Sequence, residues 1–134
     1  MITLFSHCAQ TQLLPKNFKG QQIEFGSAGG FAGAVNSYTL LENGKLYKNN
    51  VFKDTSTFLM DVNLNLVQQI FTNYDVLNLS SIDVNEPGNL YKFVTYKSDG
   101  QEHKMVWSGK SEDKNLNLFY GILNSTMSDK LDSK

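Results

Sequence analysis

Val35-Asn36-Ser37-Tyr38-Thr39-Leu40-Leu41-Glu42-Asn43-Gly44-Lys45-Leu46-Tyr47 is the stretch that decides the fold. Val35, Tyr38, Thr39, Leu40 and Leu41 suit a pleated strand, and residues 45–52 return as a second one. Asn43-Gly44 between them favours the positive φ angles of a tight type I′ turn, so the segment predicts an antiparallel hairpin.

Upstream, Ile23 and Phe25 alternate with Glu24, which predicts a short strand over residues 21–25. Residues 26–33, Gly-Ser-Ala-Gly-Gly-Phe-Ala-Gly, read as a glycine-dense loop presenting Phe31. Downstream, residues 54–57 are polar and break the strand pattern. Leu66, Val67, Ile70, Phe71 and Tyr74 then fall on one face of a helix over 63–74, with Asp61 or Asn63 as cap. Leu77, Leu79 and Ile82 lead back toward the core. Residues 85–89, with Pro87 and Gly88, make a turn. A second hairpin follows over 90–97 and 102–108, crossing at 98–101. Leu116, Phe119, Tyr120, Leu123 and Met127 mark a last helix, capped by Ser111 or Asp113.

The order β-β-β-α-β-β-α predicts the α+β class: a mostly antiparallel five-stranded sheet with two helices packed on one face. Residues 20–128 form the single domain, 1–19 a leader and tether, and 129–134 a polar tail.

The chain has 134 residues, 40% hydrophobic and 19% charged. That excludes intrinsic disorder and leaves enough apolar surface for a core without disulfide or metal. Twelve cations, all lysine, against thirteen acids give a net charge of −1. With no arginine fork and no basic field, nucleic acid is not an expected partner.

The motifs of common chemistries fail on spacing. Residues 26–33 lack the lysine and the following helix of a phosphate loop. His103 alternates with Met105 and Trp107 on one strand face, the pattern of a structural histidine. No nucleophile–base pair, calcium loop or zinc motif stands out, and no catalytic residue, metal ligand or cofactor is expected. An enzyme would need a site assembled from scattered groups such as Glu24, Asp99 and His103.

Met1-Ile2-Thr3-Leu4-Phe5-Ser6-His7-Cys8 runs from apolar to small and polar and ends in the chain's one cysteine. That order resembles the end of a bacterial lipoprotein signal peptide, in which the cysteine is lipidated. It lacks a basic start and a full apolar stretch, which an upstream start codon would supply. Cys8 is therefore the expected lipid attachment site, placing the domain at the cell envelope with the membrane touched only through the anchor. An unmodified Met1 start would instead leave the chain in the cytoplasm.

Tyr38, Leu40, Tyr47, Tyr96 and Trp107 are more strand-borne apolar residues than two helices should cover. An uncovered aromatic sheet face beside the glycine loop is the expected binding surface, comprising Phe31, Tyr38, Trp107, Pro87 and Asn89. Its occupant would be an envelope protein or a small ligand. An inhibitor-like module that blocks a hydrolase with loop 26–33 or loop 85–89 is the alternative.

Phe25-Gly26, Gly29-Gly30-Phe31, Tyr38-Thr39-Leu40, Asn43-Gly44, Leu46-Tyr47, Pro87-Gly88-Asn89, Tyr91 and Trp107 together resemble small uncharacterised lipoproteins or exported proteins of Bacteroidota-type bacteria. The resemblance covers residues 25–123. It implies an envelope address and a compact α+β domain, and it brings no catalytic residues.

Overall fold

The computed structural model describes residues 14–30 and 34–132. Eight-residue strand β1 (Gln22–Gly29) is the centre of the architecture. It pairs antiparallel along its whole length with β2 (Ala34–Leu41) on one side and with β6 (Leu90–Ser98) on the other. Outward from β2 lie β3 (Lys45–Asn50) and β4 (Thr55–Asp61). Outward from β6 lie β7 (Gln101–Trp107) and the two-residue β5 (Asn85–Glu86), which runs parallel to β7. The sheet order is β4-β3-β2-β1-β6-β7-β5.

The fold is therefore α+β, with a mixed sheet of seven strands in place of the expected five antiparallel ones. The order is β-β-β-β-α-β-β-β-α. Strand β4 escapes the hydrophobic pattern because it is an edge: Thr55, Ser56 and Thr57 are β-compatible but need not be apolar. Strand β5 lies inside the stretch expected as a turn. Two residues of ladder carry no periodicity, and Val106 N–H donates to Val84 O at 3.0 Å to begin it. The glycine run is also shorter as a loop than expected, because residues 26–29 complete β1.

Strand alternation sorts the sheet into two faces. Ile23, Phe25, Leu40, Leu46, Val94, Met105 and Trp107 point to one side, where they meet both helices. Helix α1 (Leu64–Val76) contributes Val67, Ile70, Phe71 and Tyr74, and helix α2 (Lys114–Asp132) contributes Leu116, Phe119 and Leu123. Burying each of these large side chains is worth roughly 1.5–3 kcal/mol. The helices start at the expected caps. Asn63 Oδ1 accepts from the N–H of Asn65 at 2.8 Å, and Asp113 Oδ1 accepts from Asn115 and Leu116 at 2.9 and 3.1 Å. Ser111 supports the second cap by accepting from Asp113 N–H at 3.0 Å.

The β2–β3 turn corrects the type I′ expectation. Gly44 N–H donates to Leu41 O at 2.9 Å and only Gly44, at φ 96°, has a positive φ. It is a three-residue loop with the glycine in the left-handed position. Asp99-Gly100, with φ values of 50° and 77°, makes the two-residue turn of the β6–β7 hairpin instead. Gly44 is also a packing site, since its carbonyl accepts from Val62 N–H at 2.7 Å as the chain enters α1. A Cβ there would lie 3.1 Å from both Val62 O and Leu64 Cδ2.

Gly44→Ala should therefore lower the unfolding free energy by about 1–3 kcal/mol, read by urea denaturation. Gly109→Ala is the control: its φ is 69° and nothing lies within 4 Å of the added methyl, so it should cost less.

Candidate functional site

Two regions of the surface stand out: the end of the sheet where three loops gather, and the face opposite the helices.

Register places the loops. Gly29 pairs with both Ala34 and Leu90, so the β1–β2 hairpin and the 87–89 turn leave the sheet side by side. Gly30 N–H donates to Asn89 O at 2.7 Å, tying them together. Gly29, at φ 101°, must be glycine for this contact, because a Cβ would fall 2.1 Å from Asn89 O. Ser37 pairs with Asn49, so the β3–β4 turn of residues 51–54 projects toward the same end on the other flank. Lys53 N–H donating to Asn50 Oδ1 at 3.0 Å, with Asp54 at φ 52°, shapes that turn. It leaves Phe52 84% exposed, the most exposed of the large hydrophobics among the described residues. Val51 and Leu90 are also exposed, and a hollow of about 270 Å³ lies at the foot of the hairpin between Gly29, Asn36, Leu90 and Tyr91.

Pro87 and Asn89 belong to this loop end and are exposed. Phe31 and Cys8 lie outside the described residues. Tyr38 is half-buried on the helix side, its ring centroid 5.8 Å from that of Phe25. Trp107 is 2% exposed and meets Tyr120 edge-on at 5.4 Å, so it is core and not binding surface. Its Nε1–H finds no partner among the described residues. The uncovered aromatic face is corrected accordingly: Tyr38, Leu40, Tyr96 and Trp107 all go under the helices, and of that group only Tyr47 faces the other way. Phe52 and Val51 were missed because they sit at the end of a strand pattern. Their exposure comes from a four-residue turn that hydrophobicity alone does not mark.

The open face buries Leu41, Tyr47, Phe93 and Val106, and between them it carries a polar patch. Ser56 Oγ donates to Asn49 Oδ1 at 2.8 Å, and Asn49 Nδ2 donates to Ser37 Oγ and Thr39 Oγ1, each at 2.9 Å. Ser37 Oγ donates to Glu24 Oε2 at 2.9 Å, and Lys97 Nζ reaches Glu24 Oε1 at 3.4 Å. These side chains come from β4, β3, β2, β1 and β6, a relay across five neighbouring strands. Above it opens a cleft of about 1020 Å³, walled by residues 14–20, by the β3–β4 turn and by the β6–β7 turn. Within the stretch expected as tether, Pro15 is buried and its carbonyl accepts from Gln22 Nε2 at 2.9 Å.

Glu24 and Asp99 both line this cleft, whereas His103 lies on the opposite face, so the scattered acid–base trio does not assemble. His103 is held at both nitrogens. Burial, with Tyr96 and Asp75 adding to it, pushes the Tyr74 hydroxyl from 10.0 up to about 12, so Tyr74 keeps its proton and donates it to Nδ1 at 2.7 Å. Nε2–H then donates to Ile82 O at 2.8 Å, which fixes the tautomer. Burial likewise raises Tyr120, whose hydroxyl donates to Gly26 O at 3.0 Å. Among the described residues no three His, Cys, Asp or Glu side chains are placed to hold a metal, and no helix is long and apolar enough to cross a membrane.

No protein-family model matches the chain, and no curated protein sequence matches it.

The unfolded chain loses the Tyr74 proton near pH 10 and the folded chain near 12. Stability from this group is therefore complete below pH 10 and is lost as pH rises from 10 to 12. Thermal unfolding across that window should show the loss, and Tyr74→Phe should flatten it.

Proposed function

We propose that this chain is a non-enzymatic binding domain, held at the cell envelope through a lipidated Cys8, that engages a partner protein with the loop end of its sheet. The observation that carries this reading is the exposure of Phe52, Val51 and Leu90 on loop tips that flank the glycine hairpin. Apolar side chains at the tips of anchored turns gain stability only when a partner covers them. The hollow beside Leu90 and Tyr91 adds a recess for a partner side chain. The envelope address draws on the order of residues 1–8 and on the resemblance to small exported proteins of Bacteroidota-type bacteria.

The inhibitor reading has an observation of its own. The two stretches suited to blocking a hydrolase, 26–33 and 85–89, are joined where Gly30 N–H donates to Asn89 O. A hydrolase as the recovered partner, inhibited by the wild-type chain, would select this version of the same surface.

Two measurements test the proposal. Mass analysis of the N-terminus after expression of the full reading frame should find a lipid-modified Cys8. An unmodified chain beginning at Met1 would remove the anchor. Partner recovery from envelope extracts should fall at least about tenfold for Phe52→Ser combined with Leu90→Ser, changes of a size expected for central apolar contacts. Unchanged recovery with the fold intact would remove the loop end as the binding surface.

A further inference from the structure

The cleft on the open face shares only the β3–β4 turn, through Val51, with the loop-end reading, and its floor is a different set of side chains whose chemistry is specific enough to name a ligand class. Ser37, Thr39, Thr95 and Gln22 are four of the five buried polar residues found in the structure, and all four lie on this face. A sheet face that served only the fold would be apolar under a cover or freely charged in water. Here Ser37, Thr39, Asn49 and Ser56 hydrogen-bond to one another, and Gln22 donates to Pro15 O at the cleft's wall. A relay satisfied in this way is rigid, and it holds its last member in a set orientation.

That last member is Glu24. Ser37 and Lys97 take one bond each at its two oxygens, which leaves carboxylate lone pairs free for a ligand. Lys97, with its side chain 39% exposed, keeps two N–H donors beyond the one it gives Glu24. Thr39 accepts from Asn49 and retains its own O–H. Acceptor, ammonium donor and hydroxyl donor thus stand together on the cleft floor.

Three features narrow what fits. Lys16, Lys19 and Lys97 line the cleft against four carboxylates, so neither a polyanion nor a polycation is drawn in. Phe18 is the one aromatic ring lining the cleft among the described residues, enough for the C–H face of a single ring and too little for an apolar ligand. The backbone of β1, β2 and β3 is spent in the ladders on both sides, so the floor offers no strand edge to an extended peptide. What remains is an uncharged molecule whose neighbouring hydroxyls each donate and accept.

We infer that the cleft binds a short neutral oligosaccharide, with Glu24 accepting from and Lys97 donating to adjacent sugar hydroxyls and Phe18 lying against a sugar ring. The test is an amide NMR titration of the intact, isotope-labelled chain with maltotriose, cellotriose and chitotriose, with tetra-alanine as the peptide control. At least one trisaccharide should give saturable shifts at Glu24, Asn49 and Gln101. Binding should weaken about tenfold in Glu24→Gln and in Lys97→Ala, in line with losing a hydrogen bond to a charged group. The amide spectra of the two variants report whether each has kept its fold. Three outcomes overturn the inference: no saturable shift with any trisaccharide at tens of millimolar, tetra-alanine binding at least as well, or affinity unchanged in both folded variants. Shifts confined to Gly29, Leu90 and Tyr91 would also overturn it, since they would place the sugar at the loop end.

Discussion

Strand β1 is the constraint on which everything else rests. It is hydrogen-bonded over eight residues on both edges, so its register determines where β2 and β6 lie and which of their side chains face the helices. A slip of one residue would turn Ile23 and Phe25, both fully buried, toward the open face and would put Glu24 under the helices. The cost of burying that carboxylate without partners, added to the loss of two core side chains, makes the alternative register untenable. The polar relay and the loop end inherit their places from this one alignment.

The same alignment divides the work of the molecule. Stability is concentrated on the helix side, where residues from seven elements share one apolar cluster. The other side buries fewer large apolar residues, Leu41 and Tyr47 among them, and carries the Ser56–Asn49–Ser37–Glu24–Lys97 relay. The loop end is a third region, shaped by the close approach of Gly29 and Gly30 to Asn89 and not by the core. Binding surfaces placed away from the packing layer can change without unfolding the domain, which is the usual arrangement when loops carry function on a rigid scaffold. The loop end and the cleft meet at the β3–β4 turn, where Val51 borders both.

Much of this was legible in the residues, and the boundary is physical. The two helices and their caps announced themselves, because a 3.6-residue apolar period and a capping Asn63 or Asp113 are local properties. The strands flanking β1 were legible for the same reason. Strand β4 was not, since an edge strand buries little and Thr55-Ser56-Thr57 carries no alternation. Strand β5 was not, because two residues of parallel pairing are created by β7 and have no pattern of their own. Of the residues expected at the surface, Pro87 and Asn89 are exposed in a turn, because proline and asparagine mark turns directly. Trp107 was misplaced because alternation shows that a strand has two faces and not which of them a helix will cover.

What the chain of residues determined alone is the class of fold, its helices and hairpins, and the absence of the spacings that common catalytic and metal motifs require. Those depend on short-range sterics, on periodicity and on residue types. What only the tertiary structure decided is which strand faces meet the helices, that Glu24, Ser37, Asn49, Ser56 and Lys97 join into one relay, and that loops from residues 30, 51 and 87 leave the sheet at one end. These are long-range facts, set when strands separated by tens of residues pair, and no local window of sequence contains the pairing energy that selects them.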